Sequence, residues 1–259
     1  NGAISYVKWD FNRNMSEVGT TDLPADRQQE VSHRYYLGLY SLLERLVTDF
    51  PDVLFESCSG GGGRFDCGML YYMPQTWTSD NSDAIERLPI QHGTSLVYPL
   101  SSMSAHVSAS PNHQTGHVTP FDTRFNVAFT GSFGYELDPT ALSEEEQSLV
   151  RRTAEFYKKY SHVAANGRYF RLRSCYEGDC AAWEYISDDD SICIAEYVLT
   201  HVRVYPHYER LKLKGLDPDA RYRDDSGNQY TGSELMGYGI PVDLTYEYSS
   251  KMWVLEKIK

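Results

Sequence analysis

Ile4-Ser5-Tyr6-Val7-Lys8-Trp9-Asp10 reads as a buried strand that ends in polar groups. After a loop, the spacing predicts a long helix over residues 25–50. Val31, Tyr35, Leu39, Leu42, Leu43, Leu46 and Phe50 fall at the three- and four-residue steps of one packed face. Val53-Leu54-Phe55-Glu56-Ser57-Cys58 is a second short apolar strand, followed directly by Gly60, Gly61, Gly62 and Gly63. Strand, crossover helix and strand in this order make a parallel βα unit.

The pattern continues outward. A third strand is expected over 73–79, ending at Asp80, then a short helix limited by Pro89. A strand over 102–108, a helix over 121–130 and a strand over 133–137 follow. Ser143-Glu144-Glu145-Glu146 is a capping box that opens a helix with Leu149, Val150, Thr153, Phe156, Tyr157 and Tyr160 on its inner side. After residue 162 the texture changes. Residues 168–174, 181–187, 192–201 and 210–214 are strand-like runs without helices between them, and Asp217-Pro218-Asp219 and Ser226-Gly227-Asn228 are turn signals. The expected domains are thus an α/β part over 1–162 and an all-β sandwich over 163–259.

Composition narrows the function. The chain of 259 residues carries 24 basic and 36 acidic residues, a net charge of −12. That balance argues against a nucleic-acid partner, which needs a basic face. No apolar run approaches the length of a membrane span. The chain opens at Asn1 with neither Met nor a signal-peptide pattern, and is read as a fragment that starts mid-protein. Its five cysteines form no CxxC pair, which excludes a zinc ribbon and leaves reduced thiols, the default of an intracellular protein, as the expectation. Aromatic content is 14%, with 21 Tyr and 4 Trp. Such flat faces with polar edges suit sugars, although core packing accounts for most of them.

Chemistry-bearing residues gather where the early strands end: Lys8 and Asp10, then Cys58 and the glycines, then Trp77 and Asp80. Ligands bind at the carboxyl ends of parallel strands, so two carboxylates from different strands point to one face. A carboxylate pair is the minimum equipment for glycoside hydrolysis, yet a lone Asp at a strand end is ordinarily a solvated loop residue or a helix cap. The glycine run is not a nucleotide cradle. Gly63 is followed by Arg64-Phe65 rather than Lys-Ser/Thr, and neither GxGxxG register is completed. His113 and His117 have a metal-like helical spacing, but Pro111, Gly116 and Pro120 make that stretch a loop. No serine nucleophile stands in a GxSxG context.

Tyr6-Val7-Lys8-Trp9-Asp10-Phe11-Asn12-Arg13 resembles the nucleophile motif of family 36 glycoside hydrolases, the large bacterial α-galactosidases. Glu56-Ser57-Cys58-Ser59-Gly60-Gly61-Gly62-Gly63-Arg64-Phe65-Asp66 is similar to that family's glycine-rich sugar-binding segment. Residues 73–87, Met73-Pro74-Gln75-Thr76-Trp77-Thr78-Ser79-Asp80 onward, are similar to its acid/base segment. Pro111-Asn112-His113-Gln114 and the stretch 211–218 extend the likeness over essentially the whole chain. The glycine segment departs mildly, reading Cys-Ser before four glycines.

The resemblance implies the later part of a (β/α)8 TIM barrel followed by a C-terminal antiparallel β-sandwich. It implies a retaining α-galactosidase acting on α-1,6-linked oligosaccharides such as melibiose and raffinose. Asp10 would be the nucleophile and Asp80 the general acid/base, with Lys8, Cys58, Gly61, Trp77, Asn12 and Arg64 as substrate-binding residues. No metal or organic cofactor is implied. The implied partners are a galactoside substrate and further copies of the full-length protein, a tetramer in the cytoplasm, with no nucleic acid and no membrane. Lys8, two residues before Asp10 on the same side of the strand, would favour ionised Asp10, and Trp77 would wall Asp80. Two other readings stay open: a galactosyltransferase of the raffinose- or stachyose-synthase type, and a non-catalytic carbohydrate-binding fragment.

Overall fold

The computed structural model describes residues 4–12, 15–204 and 208–258. They form two compact units, residues 1–80 and 81–259. Arg13, which belongs to the first motif, lies outside the described residues.

The first unit contains β1 (Tyr6–Asp10), α1 (Val31–Asp49), β2 (Leu54–Cys58), α2 (Cys67–Tyr72) and β3 (Gln75–Trp77). The strands are parallel, in the order β1-β2-β3, with Lys8 opposite Glu56, Asp10 opposite Cys58, and Glu56 opposite Gln75. β1 is not buried on both faces as expected. Val7 and Trp9 pack beneath α1 while Tyr6, Lys8 and Asp10 are open, because side chains alternate across a strand. The helix is also narrower in its contacts. Leu43 is buried with Leu39, Tyr40, Leu46 and Val47 beside it, against Phe55, Met69 and Met73, whereas Tyr35, Leu42 and Phe50 are exposed. A rotation of 100° per residue carries Tyr35 and Leu42 to the flank of the stripe, and Phe50 lies one residue past the end of α1. Residues 25–30 ahead of α1 are a 3-10 turn rather than α-helix.

The second unit begins with α3 (Ala84–Thr94), β4 (Met103–Ser108), α4 (Phe121–Phe129), β5 (Ser132–Glu136) and α5 (Glu144–Asn166), and β4 and β5 pair in parallel. Pro89 does not end α3. Asp83 caps the helix by accepting from the Ile85 and Glu86 N–H groups, and Ala84, Arg87, Leu88 and Gln91 are buried along it. Arg87 donates to Ser104 O and Gln91 to Val127 O, so tertiary bonds offset the one ladder bond that proline removes. The capping box of α5 forms as read, with Ser143 and Glu146 exchanging bonds.

Beyond α5, β6 (Arg168–Arg173), β7 (Cys180–Ile186), β8 (Ile192–Leu199), β9 (Glu209–Leu211), β10 (Arg221–Arg223), β11 (Gln229–Thr231), α6 (Gly232–Gly237), β12 (Ile240–Val242) and β13 (Ser250–Ile258) complete the chain. Six strands form one sheet in the order β11-β10-β13-β8-β7-β6, and β12 pairs with β9 in a second sheet. Both are antiparallel. Ala182, Ile186, Cys193, Ala195 and Trp253 of the large sheet pack against Leu211, Leu213 and Ile240. Ala181, Trp183, Tyr185 and Ile194 point the other way, to Phe129, Tyr160 and Val163 of α4 and α5. β7 and β8 are therefore covered on both faces.

That double cover buries Glu184 and Glu196 completely. Glu184 accepts the Lys214 N–H at 2.7 Å, yet burial pushes its carboxyl from 4.5 up to about 8. Burial likewise holds Glu196, on the opposite face, well above its ordinary value. Between pH 4.5 and 8 the folded Glu184 keeps a proton that the unfolded chain has lost. Its contribution is therefore fully present below pH 4.5 and is lost as pH rises through 8. The slope is about 1.4 kcal/mol per pH unit for one group. The complete protein is expected to melt lower at pH 8 than at pH 5. Glu184→Gln keeps an acceptor for Lys214 and should reduce that fall. Equal slopes of melting temperature against pH in the two proteins would count against this assignment.

Candidate active site

Register places the side chains of the first unit in two tiers on one face of its sheet. Lys8, Glu56 and Gln75 form the lower tier; Asp10, Cys58 and Trp77 form the next tier toward the strand ends. Stacked tiers of inward side chains are how a parallel barrel fills its interior.

Asp10 is the last residue of β1, and Asn12 Nδ2 donates to its Oδ2 at 2.9 Å. Asn12 Oδ1 in turn accepts the Gly60 N–H at 2.5 Å, which ties the end of β1 to the glycine loop. The Asp10 carboxyl is held below its ordinary value, first by the Asn12 amide. Partial burial opposes this; the Cys58 thiol, the Gly60 N–H and, least of all, the Lys8 charge support it. Lys8 therefore favours ionised Asp10 as expected, but hydrogen bonding dominates. Burial raises the Cys58 thiol to about 11, so it stays an S–H donor to Asp10.

The glycine loop is built to approach backbone. Gly60 and Gly61 have φ of +55° and +81°. A Cβ on Gly61 would stand 2.6 Å from Ser79 Cα and 3.1 Å from Asp80 N. One loop thus touches Asn12, two residues after Asp10, on one side and the backbone of Asp80 on the other. Asp80 itself is exposed at the end of the β3 segment. Gly61→Ala meets both the strained φ and the Ser79 clash, so it should displace the Asp80 segment and, if this face is a catalytic site, cost the complete protein about 10²-fold in kcat/KM. Activity within about threefold of the parent would show that the contact does not matter.

Trp77 is buried, and its ring lies under Lys8 Nζ, 4.6 Å from the centroid. Arg64 is turned into the protein. It donates to Phe11 O and Ser59 Oγ and stacks 4.1 Å from the Phe11 ring, bracing the glycine loop against the end of β1. The motifs also contain Glu56 and Gln75, for which the sequence carries no assigned role. Glu56 shares its face with Cys58 two residues on, and that period was the available signal. In the second unit, His113 and His117 lie in a loop, and His117 Nδ1 sits 3.1 Å from Asp83 Oδ2. Among the described residues no group of three or more His, Cys, Asp or Glu is arranged to hold a metal ion, and no helix is long and apolar enough to cross a membrane.

Two family models match the chain: melibiase over residues 1–167, and the glycosyl hydrolase family 36 C-terminal domain over 180–255. The α-galactosidase AgaA of Geobacillus stearothermophilus is 49% identical over 99% of this chain and 35% of its own length. The α-galactosidase Mel36A of Lactobacillus acidophilus is 47% identical over 98% of this chain and 35% of its own length. The chain therefore spans about a third of the curated relatives it matches. The crystal structure of AgaA superimposes with a TM-score of 0.95, covering 98% of this chain and 36% of that one. A variant of AgaA solved with raffinose gives the same TM-score at 48% identity, over 98% of this chain and 36% of its own. The parallel βα part is thus a portion of a TIM barrel, with antiparallel sheets after it, and the chain belongs to glycoside hydrolase family 36, the family of these α-galactosidases.

Proposed function

We propose that the complete protein is a retaining α-galactosidase that removes terminal α-1,6-linked galactose from oligosaccharides such as melibiose and raffinose. The observation that carries this is the arrangement around Asp10. Its carboxylate is held ionised by Asn12, Cys58 and Gly60, and the same glycine loop is seated against the Asp80 backbone. Relatives named as α-galactosidases, one of them solved with raffinose, support the substrate class.

In this reading Asp10 attacks the anomeric carbon while Asp80 protonates the departing glycosidic oxygen. The Asp10 ester of galactose is then hydrolysed by a water that Asp80, now ionised, deprotonates. Lys8, Cys58, Gly61 and Trp77 line the galactose subsite. Asn12 and Arg64 serve it by holding Asp10 and the glycine loop. The proposed domain limits are 1–162 for the barrel portion and 163–259 for the β-sandwich. The proposed working state is a cytoplasmic homotetramer of the full-length protein.

The test is product analysis. The complete protein is expected to release galactose from melibiose and raffinose, and the 259-residue chain made alone is expected to release none. A complete protein that hydrolyses α-glucosides but not α-galactosides would overturn the substrate. A chain that melts cooperatively as a monomer and turns over alone would overturn its dependence on the rest.

A further inference from the structure

Glu56 is a carboxylate in an unusual place. It lies on β2, is 1% exposed, and sits in the tier directly below Asp10, Cys58 and Trp77. Its Oε1 is 3.7 Å from Lys8 Nζ, and its Oε2 accepts Gln75 Nε2 at 3.0 Å. Lys8 Nζ is the same ammonium that lies 4.6 Å from the Trp77 ring centroid. A carboxylate of its own tier and an aromatic face of the next therefore fix one flexible charge at the boundary between the two tiers. Lysine has a four-carbon stem and a point charge, so its position depends on its counter-ion more than arginine's would.

The next carboxylate on this face belongs to Asp10, two residues along the same strand. If Glu56 loses its charge, the attraction that keeps Lys8 low is gone while that of Asp10 remains. The ammonium would rise and pair with Asp10, occupying the space in front of it. We propose that Glu56 is a positioning residue: it holds the Lys8 ammonium against Trp77 and away from Asp10, so that the Asp10 carboxylate stays open to substrate. The consequence for turnover rests on the α-galactosidase reading; the placement of Lys8 does not.

Two measurements on the complete protein separate these. The first is a crystal structure of Glu56→Gln. Lys8 Nζ is expected to leave the Trp77 ring and lie within salt-bridge distance of Asp10; Lys8 unmoved would overturn the proposal whether or not the protein hydrolyses galactosides. The second is kinetic, with a nitrophenyl α-galactoside. Glu56→Gln should lower kcat/KM by about 10²-fold, the cost of a misplaced group next to the reacting atoms. Glu56→Asp, which keeps the charge one methylene further back, should recover a large part of that loss. In a Lys8→Met background Glu56→Gln should cost little more, because the charge it controls is absent.

A loss of the same factor in both backgrounds, with no recovery in Glu56→Asp, would mark Glu56 as a general packing element and sink the inference. Should Glu56→Gln fail to fold, Glu56→Asp is compared in the two backgrounds instead; a loss present with Lys8 and absent without it supports the proposal, and equal losses refute it. An intact parent with no α-galactosidase activity would remove the functional reading alone, and the crystal structure would still decide where Glu56 puts Lys8.

Discussion

Asp10→Ala in the complete protein is expected to lose on the order of 10⁴–10⁶-fold in kcat on both a nitrophenyl α-galactoside and raffinose, as removal of a covalent nucleophile does elsewhere. The reason is local. Asn12 Nδ2 donates to this one carboxylate, and the neighbouring Cys58 thiol and Gly60 N–H also favour its charged form. No neighbour can take over. Glu56, the other carboxylate on the same face, lies a tier lower, buried, with Lys8 and Gln75 on its oxygens. Cys58 keeps its proton, because burial raises it to about 11. The loss should be equal for good and poor leaving groups, since the ester is required whatever departs. Azide offers a further check. A small anion entering the space vacated by the carboxylate displaces the leaving group once, so the azide product from an α-galactoside would be the β anomer. An Asp10→Ala enzyme within about tenfold of the parent on either substrate would end the assignment of Asp10 as nucleophile.

The convergence of Asp10, Cys58 and Trp77 was legible because parallel strands send the residues at their ends to one face; the roles proposed for them come from the resemblance. Their spacing relative to Lys8 followed from the two-residue period of a strand. What sequence could not supply was the register between strands. Glu56 became informative only when β1 and β2 aligned it with Lys8 and β3 aligned it with Gln75. Arg64 illustrates the same gap: only the resemblance pointed to it, and its bonds to Phe11 O and Ser59 Oγ, which brace the glycine loop, appear only in three dimensions. Pro89 failed as a helix stop because Arg87 and Gln91 secure α3 through bonds to β4 and α4, which no local signal encodes. In the C-terminal part, β6, β7 and β8 run six to eight residues and were read within two residues. The three-residue strands β9, β10, β11 and β12 are too short to show a period, and Leu213, expected in a strand, is buried without being in one.

Asp80→Ala should behave differently from Asp10→Ala, and the difference is the sharper test of the two roles. The Asp80 side chain is exposed at the end of the β3 segment, beside the glycine loop rather than within the donor set of Asp10. A proton donor there matters only as much as the leaving group needs a proton. Nitrophenolate departs readily without one, whereas a sugar alkoxide does not, and general-acid assistance is worth about 10²–10⁴-fold. Raffinose turnover should therefore fall by that factor while galactosylation by the nitrophenyl substrate falls far less. The second step also loses its base, so the galactosyl ester on Asp10 should accumulate, giving a burst of nitrophenol followed by a slow steady state. Azide needs no deprotonation, so it should speed the steady state. Two displacements in sequence would leave the azide product in the α configuration, opposite to that from Asp10→Ala. If both variants lose activity equally on the two substrates and azide accelerates neither, the roles given to Asp10 and Asp80 are wrong even though the family is right.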